Sequence, residues 1–186
     1  VADFFLWNDW QGPQPETHRA LARELADALR AARARRPGMP VFALTDPINR
    51  LYGGAAPAFL DDLAAAGVRV VFTDLFRMRD SNLVLGPPAR FFGAAGQWTW
   101  TAGLLDAPRF ANPFSPGGPP LGMRQYSRLL QFKANHRKVL VTGRGDGLIR
   151  ALATSFNPAD GSSAHSNVGI VIDGGAAADA LQSDLR

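Results

Sequence analysis

Apolar residues fall into short runs separated by polar turns, and their spacing changes from run to run. Phe4, Phe5, Leu6 and Trp7 are contiguous, the pattern of a buried strand, and Pro13 and Pro15 break the run. From Thr17 onward, Leu21, Leu25, Leu29 and Ala32 recur every three or four residues, which predicts an amphipathic helix. Arg33, Arg35 and Arg36 fall in its last turn, where cations suit the helix dipole, and Pro37-Gly38 ends it. A second strand is expected at Val41 to Thr45. A second helix follows, with Pro57 at its start, Phe59, Leu60 and Leu63 on its apolar face and Gly67 at its end. Val68 to Thr73 reads as a third strand. Strands alternating with helices imply parallel pairing with right-handed crossovers, and ligands of such sheets lie beyond the carboxyl ends of the strands. Those exits are polar: Asn8, Asp9 and Trp10 after the first strand, Asp46, Pro47, Ile48 and Asn49 after the second, and Asp74, Arg77, Arg79 and Asp80 after the third. Each set also suits an ordinary turn.

The pattern loses its period over residues 81–127. Pro and Gly are frequent there, and Phe91, Phe92, Trp98, Trp100, Phe110, Phe114 and Tyr126 are scattered. A stretch this long without regular structure suits a lid or binding element, with aromatics for an acyl chain or for packing over the domain's own core. The β pattern returns in RLLQFKANHRKVLV. A turn at Gly143 to Gly147 and a partner strand at Leu148 to Thr154 predict a hairpin, and Asn167 to Ile172 predicts one more strand. The expected fold is a single α/β domain over residues 1–186, a mixed, largely parallel sheet flanked by helices.

Composition changes this picture little. The chain has 186 residues, enough for one sizeable core, and 20 Lys+Arg against 16 Asp+Glu give a net charge of +4. That mild excess suits a phosphate-bearing partner without demanding one. The arginine cluster is accounted for by a helix end. The absence of cysteine excludes disulfides and thiolate-ligated metals. No leader pattern is visible, and the longest notable uncharged run, Phe91 to Leu105, is too short to span a bilayer. A soluble domain is expected, cytoplasmic or in peripheral contact with a membrane. The missing start methionine and the alanine-rich end suggest a fragment of a longer protein.

The chemistry concentrates in NHRKVLV. In an extended chain His136 and Lys138 leave the same face, roughly 6–7 Å apart. Ser155 and Asn157 stand in the same relation after the partner strand, so a hairpin would gather an imidazole, an ammonium and neutral donors. Phosphoryl transfer needs that set: an attacking atom and donors for the non-bridging oxygens. A lone HxK is otherwise a common accidental match on a solvated face. His18, expected on the first helix, and His165, in SSAHSNV, each read more readily as structural; His165 with Asn167 is a candidate for supporting the site. A zinc site from His136, His165 and Asp146 lacks recognisable ligand spacing.

On these residues the sequence resembles the phospholipase D superfamily, whose signature is HxKxxxxD followed by GSxN. His136, Lys138, Ser155 and Asn157 match. The signature aspartate falls on Gly143, with Asp146 in the following turn as a candidate substitute, and Thr154 stands where the family commonly has Gly. ALTDPINRLYGG, AGVRVVFTDLFRMRDSN, FKANHRKVLV and TSFNPADGSSAHSNV together look like the amino-terminal half of bacterial two-motif proteins of the cardiolipin synthase-related kind. The resemblance implies a phospholipase D-like half-domain in which two HxK elements meet at one site. One histidine forms a phosphohistidine, the other protonates the leaving alcohol, and Lys and Asn hold the phosphate without metal or cofactor. It implies a phosphodiester substrate; the moderate charge and the aromatic-rich 81–127 segment favour a phospholipid, and no stable nucleic-acid partner is expected. The second half would come from the same longer chain or from a homodimer. A catalytically inactive phosphate-binding or scaffold domain, and a nuclease of the same superfamily, are the alternatives.

Overall fold

The computed structural model describes residues 1–11, 19–51, 57–78, 84, 87, 107–114, 116, 119–130, 133–143 and 146–184. The chain divides into two compact units. The first comprises Val1–Asp46, Pro57–Thr73 and His136–Arg186, and the second Pro47–Ala56 and Asp74–Asn135.

The first unit is built on a six-stranded sheet in the order β3-β2-β1-β4-β5-β6. The strands are β1 (Ala2–Phe4), β2 (Phe42–Thr45), β3 (Arg69–Phe72), β4 (Lys138–Gly143), β5 (Ile149–Thr154) and β6 (Gly169–Asp173). The β1/β2 and β2/β3 pairs are parallel, as the alternating pattern predicts. The β1/β4, β4/β5 and β5/β6 pairs are antiparallel, so the sheet is mixed but not largely parallel. The difference arises after residue 136: β4 runs antiparallel to β1, and β5 and β6 follow through the links 144–148 and 155–168, neither of them a helical crossover.

Helix α1 (Leu21–Arg35) buries Ala22, Ala26 and Leu29. Helix α2 (Ala58–Ala65) buries Phe59, Leu60 and Leu63. Both pack with Ala2, Phe4, Ala43 and Val68 in one core. Gly67 ends α2 at φ +80, a conformation that favours glycine, and the Val68 amide donates to Leu63 O at 3.0 Å. The α1 arginines behave as a helix end. Arg33 donates to the carbonyls of Gly67 at 3.2 Å and Met39 at 3.4 Å. A third helix of this unit, Gly175–Asp184, covers the opposite sheet face, where Ala178 packs with Val141 and Ala151. Strand alternation explains the division: Leu140 faces the first core and Val139 and Val141 the second. No pattern in the sequence marked this helix. Its alanines give little amphipathic contrast, and Ala178 alone is buried among the described residues of the helix.

Two strand boundaries differ from expectation. The first strand is Ala2–Phe4, ahead of the apolar run, and Trp7 lies beyond it as a fully buried core residue. The β-rich reading of Arg128 to Val141 is corrected. Met123–Leu130 is a helix, here α3, so that Gly175–Asp184 is α4, and the strand begins only at Lys138. The Tyr126 amide donates to Gly122 O at 2.9 Å, the helical i to i−4 bond.

In the second unit α3 is accompanied by short turns at Pro47–Arg50 and Leu75–Arg77 and by an isolated bridge between Phe110 and Leu121. Phe110 stacks on Tyr126 with centroids 5.1 Å apart, so these two aromatics pack on each other. Phe91, Phe92, Trp98 and Trp100 lie outside the described residues, as do His18, Arg79 and Asp80. No helix among the described residues is long and apolar enough to cross a membrane.

Candidate functional site

Sheet register fixes where the HxK segment falls. Phe4 pairs with Lys138 across the antiparallel β1/β4 ladder, and Thr154 pairs with Gly169 across β5/β6. The carboxyl ends of β1 and β5 and the amino ends of β4 and β6 therefore share one sheet edge. This edge is also the carboxyl end of the parallel strands, where the sequence pattern expected a ligand. Its loops are only partly available. Asn8 and Asp46 are buried, at 3% and 0% exposure. The Asn8 side chain accepts from the Trp10 amide at 3.2 Å, the ordinary turn role.

His136 lies two residues ahead of the start of β4 and is exposed, whereas Lys138, the first residue of β4, is 9% exposed. The Lys138 ammonium folds back on the imidazole, 3.3 Å from Nδ1 and 3.4 Å from Nε2, and donates to His136 O at 3.1 Å. The two groups are thus closer than their backbone spacing along a strand. Alternation turns Arg137 to the other face, where its guanidinium lies 3.7 Å from the fully buried Asp3 carboxylate. The two adjacent cations differ accordingly. Arg137 has a carboxylate partner, and Lys138 has none among the described residues. Burial pushes the Lys138 ammonium below its ordinary pKa, because charge is costly where water is scarce.

Phe5 is a member of this cluster that sequence reasoning assigned to the core. Its ring centroid is 4.7 Å from that of His136, at an interplanar angle of 48°, and 5.4 Å from Lys138 Nζ. Its amide donates to Arg137 O at 2.9 Å, between the two motif residues. An apolar run gave no signal for this, because the chain bends at Phe5 just after β1 ends.

Asn157 is tied to the same turn. Its Oδ1 accepts from the Leu6 amide at 3.2 Å, which fixes the amide orientation and leaves Nδ2 as an available donor. Ser155 is occupied otherwise. Its hydroxyl accepts from the Val168 amide at 3.0 Å and donates to Asn167 Oδ1 at 3.2 Å. Asn167 Nδ2 donates in turn to His165 O at 2.9 Å. Ser155 and Asn167 therefore brace the start of β6, and the exposed His165 enters through its backbone carbonyl. The structure thus brings His136 and Lys138 into contact and ties Asn157 to the adjoining Phe5-Leu6 turn. Ser155, Asn167 and His165 form a separate chain of bonds on the β6 side.

Asp146 is not brought to this edge. It follows β4, whose residues from Lys138 to Gly143 span about 17 Å at strand rise. Its Oδ1 accepts from the Leu148 amide at 3.1 Å, a turn contact. A Cβ added at Gly143 would meet nothing within 4 Å among the described residues. Gly143→Asp is accordingly expected to change stability by less than about 0.5 kcal/mol, read as an unchanged urea midpoint. A larger shift would expose a partner for that carboxylate. Among the described residues no three His, Cys, Asp or Glu side chains are grouped to hold a metal ion.

Compared with known proteins, the chain matches no family model, no curated protein and no solved structure.

Proposed function

We propose that this chain is one half of a phosphodiesterase or phosphatidyltransferase of the phospholipase D kind, acting on a phosphodiester, with phospholipid as the preferred class. The observation that carries the reading is Lys138: a residue only 9% exposed, partly desolvated and with no carboxylate partner among the described residues, whose ammonium is set against an exposed imidazole. A buried cation favours an anionic partner, and a phosphate oxygen beside His136 would supply one. Asn157, bonded through Oδ1 to the turn that follows Phe5, offers Nδ2 as a neutral donor. In the reaction, an imidazole nitrogen of His136 attacks phosphorus while the bond to the leaving alcohol oxygen breaks, and Lys138 and Asn157 stabilise the phosphate oxygens. The second half supplies the histidine that protonates the leaving oxygen. It then takes a proton from water or a second alcohol, whose oxygen displaces the phosphorus–nitrogen bond. That half belongs to the same longer chain or to a second copy.

The test is covalent trapping. The protein with its complementary half is incubated with a labelled phosphatidyl diester and quenched in alkaline denaturant. A labelled adduct that is released by acid, and is absent from His136→Ala, is the expected result. No adduct with any lipid or nucleic-acid diester would overturn the enzyme reading and favour a phosphate-binding scaffold. The open space at Gly143, where the family signature has a carboxylate, is the observation on that side. An adduct with an oligonucleotide alone would move the substrate to nucleic acid, and its affinity should then fall steeply with salt.

A further inference from the structure

We propose that Phe5 is a positioning residue of this site: its ring holds the His136 imidazole and the Lys138 ammonium as one unit before any anion arrives. The inference rests on the phosphate-site reading and adds a residue to it that the HxK and SxN motifs do not contain. Three contacts carry it. The ring packs against His136 at 4.7 Å between centroids, a distance typical of paired aromatic rings. The same ring lies 5.4 Å from Lys138 Nζ, within reach of a cation–π attraction. The Phe5 amide donates to Arg137 O at 2.9 Å, fixing the backbone of the ring's residue to the backbone between the two motif residues.

Lys138 shows why such a group matters. With no carboxylate among the described residues, its charge rests on the His136 carbonyl, the imidazole and the Phe5 ring. The neighbouring charges do not take that place. Asp3 lies on β1 and belongs to Arg137 across the sheet. A carboxylate in the position of Phe5 would neutralise the ammonium permanently and compete with phosphate. An aromatic face steadies the cation and leaves the hydrogens not given to His136 O for an incoming oxygen. Phe5 is only partly buried, so its replacement should not unfold the chain.

The experiment compares the wild-type protein with Phe5→Leu and Phe5→Tyr by NMR, with inorganic phosphate as the probe. Without phosphate, the Lys138 ammonium titration midpoint should fall by about half a pH unit in Phe5→Leu and return to the wild-type value in Phe5→Tyr. With phosphate, affinity read from the His136 ring signals should weaken about threefold in Phe5→Leu and recover in Phe5→Tyr. A residue that merely filled space would leave the midpoint unmoved in all three proteins, and that result overturns the proposal. Failure of the underlying site reading looks different. Phosphate would then perturb neither His136 nor Lys138 in the wild-type protein, whatever the midpoints do. Amide spectra of both variants establish that they are folded. If Phe5→Leu does not fold, a Tyr midpoint equal to wild type together with a lowered Phe5→Met midpoint supports the proposal. Equal midpoints in Tyr and Met overturn it.

Discussion

Lys138→Met is expected to weaken phosphate binding at least about tenfold while leaving the protein as stable as before, or more stable by about 1 kcal/mol. The two effects have one cause. Lys138 is 9% exposed and has neutral partners only among the described residues, so folding removes its charge from water without returning a carboxylate. Methionine keeps most of the stem and removes that cost. The bond it cannot make is a charge-assisted one to a phosphate oxygen, whose loss lowers affinity at least about tenfold.

The pH dependence has a definite sign. The folded pKa of Lys138 is lowered, so between that value and the unfolded value of 10.5 the unfolded chain binds more protons. Below both values the full penalty is present. Stability attributable to this residue therefore rises as pH climbs through the folded pKa, and the rise is complete above 10.5. Urea titrations at a series of alkaline pH values should show that slope in the wild-type protein and a flatter one in Lys138→Met. A variant clearly less stable than wild type at neutral pH would mean that Lys138 is a structural cation with a partner of its own.

What could be read from the chain, and what could not, divides along local and tertiary lines. The strand–helix–strand order through residue 73, the end of α2 at Gly67 and the helix-end role of Arg33 follow from short-range rules, and the structure bears them out. The placement of His136 and Lys138 together was also local, since two residues on an extended chain share a face. The helix at Met123–Leu130 was misread because a short apolar run joined to the VLV of β4 has no period of its own to separate them. The roles of Ser155 and Asn157 depend on what lies across the sheet. Asn157 meets Leu6 over a separation of 151 residues, and Ser155 meets Asn167 just ahead of the next strand. Nothing near either residue in the sequence distinguishes the one whose donor is left available from the one whose donor is taken. Phe5 was hidden for a related reason, because an aromatic in an apolar run reads as core whether its ring faces a core or a histidine.

Trp7→Ala is expected to cost about 3–5 kcal/mol, the largest stability loss of any change considered for this chain. Trp7 is fully buried, and its ring meets Phe4 edge-on at 6.3 Å and Phe59 at 5.9 Å. Its Nε1 donates to Ala22 O at 3.0 Å at the start of α1. The Ala22 amide is itself bonded to Asp160 Oδ1 at 3.0 Å, a cap supplied by a residue 138 positions away, and the Asp160 amide returns to Asn8 O at 3.1 Å. Trp7 thus joins the exit of β1, the start of α1 and the segment after β5 in one closed set of bonds. Trp7→Phe keeps a ring and forfeits the indole donor, so its cost should be nearer 1 kcal/mol beyond the volume lost. Urea denaturation followed by far-ultraviolet circular dichroism measures both without relying on the deleted fluorophore. A loss below about 1 kcal/mol for Trp7→Ala would show that the surrounding core collapses into the space. The turn held in place by Trp7 also carries Phe5 and the Leu6 amide that orients Asn157. Phosphate binding should therefore fall together with stability in Trp7→Ala, whereas in Lys138→Met it falls alone. That contrast separates the group that receives the anion from the scaffold that aims it.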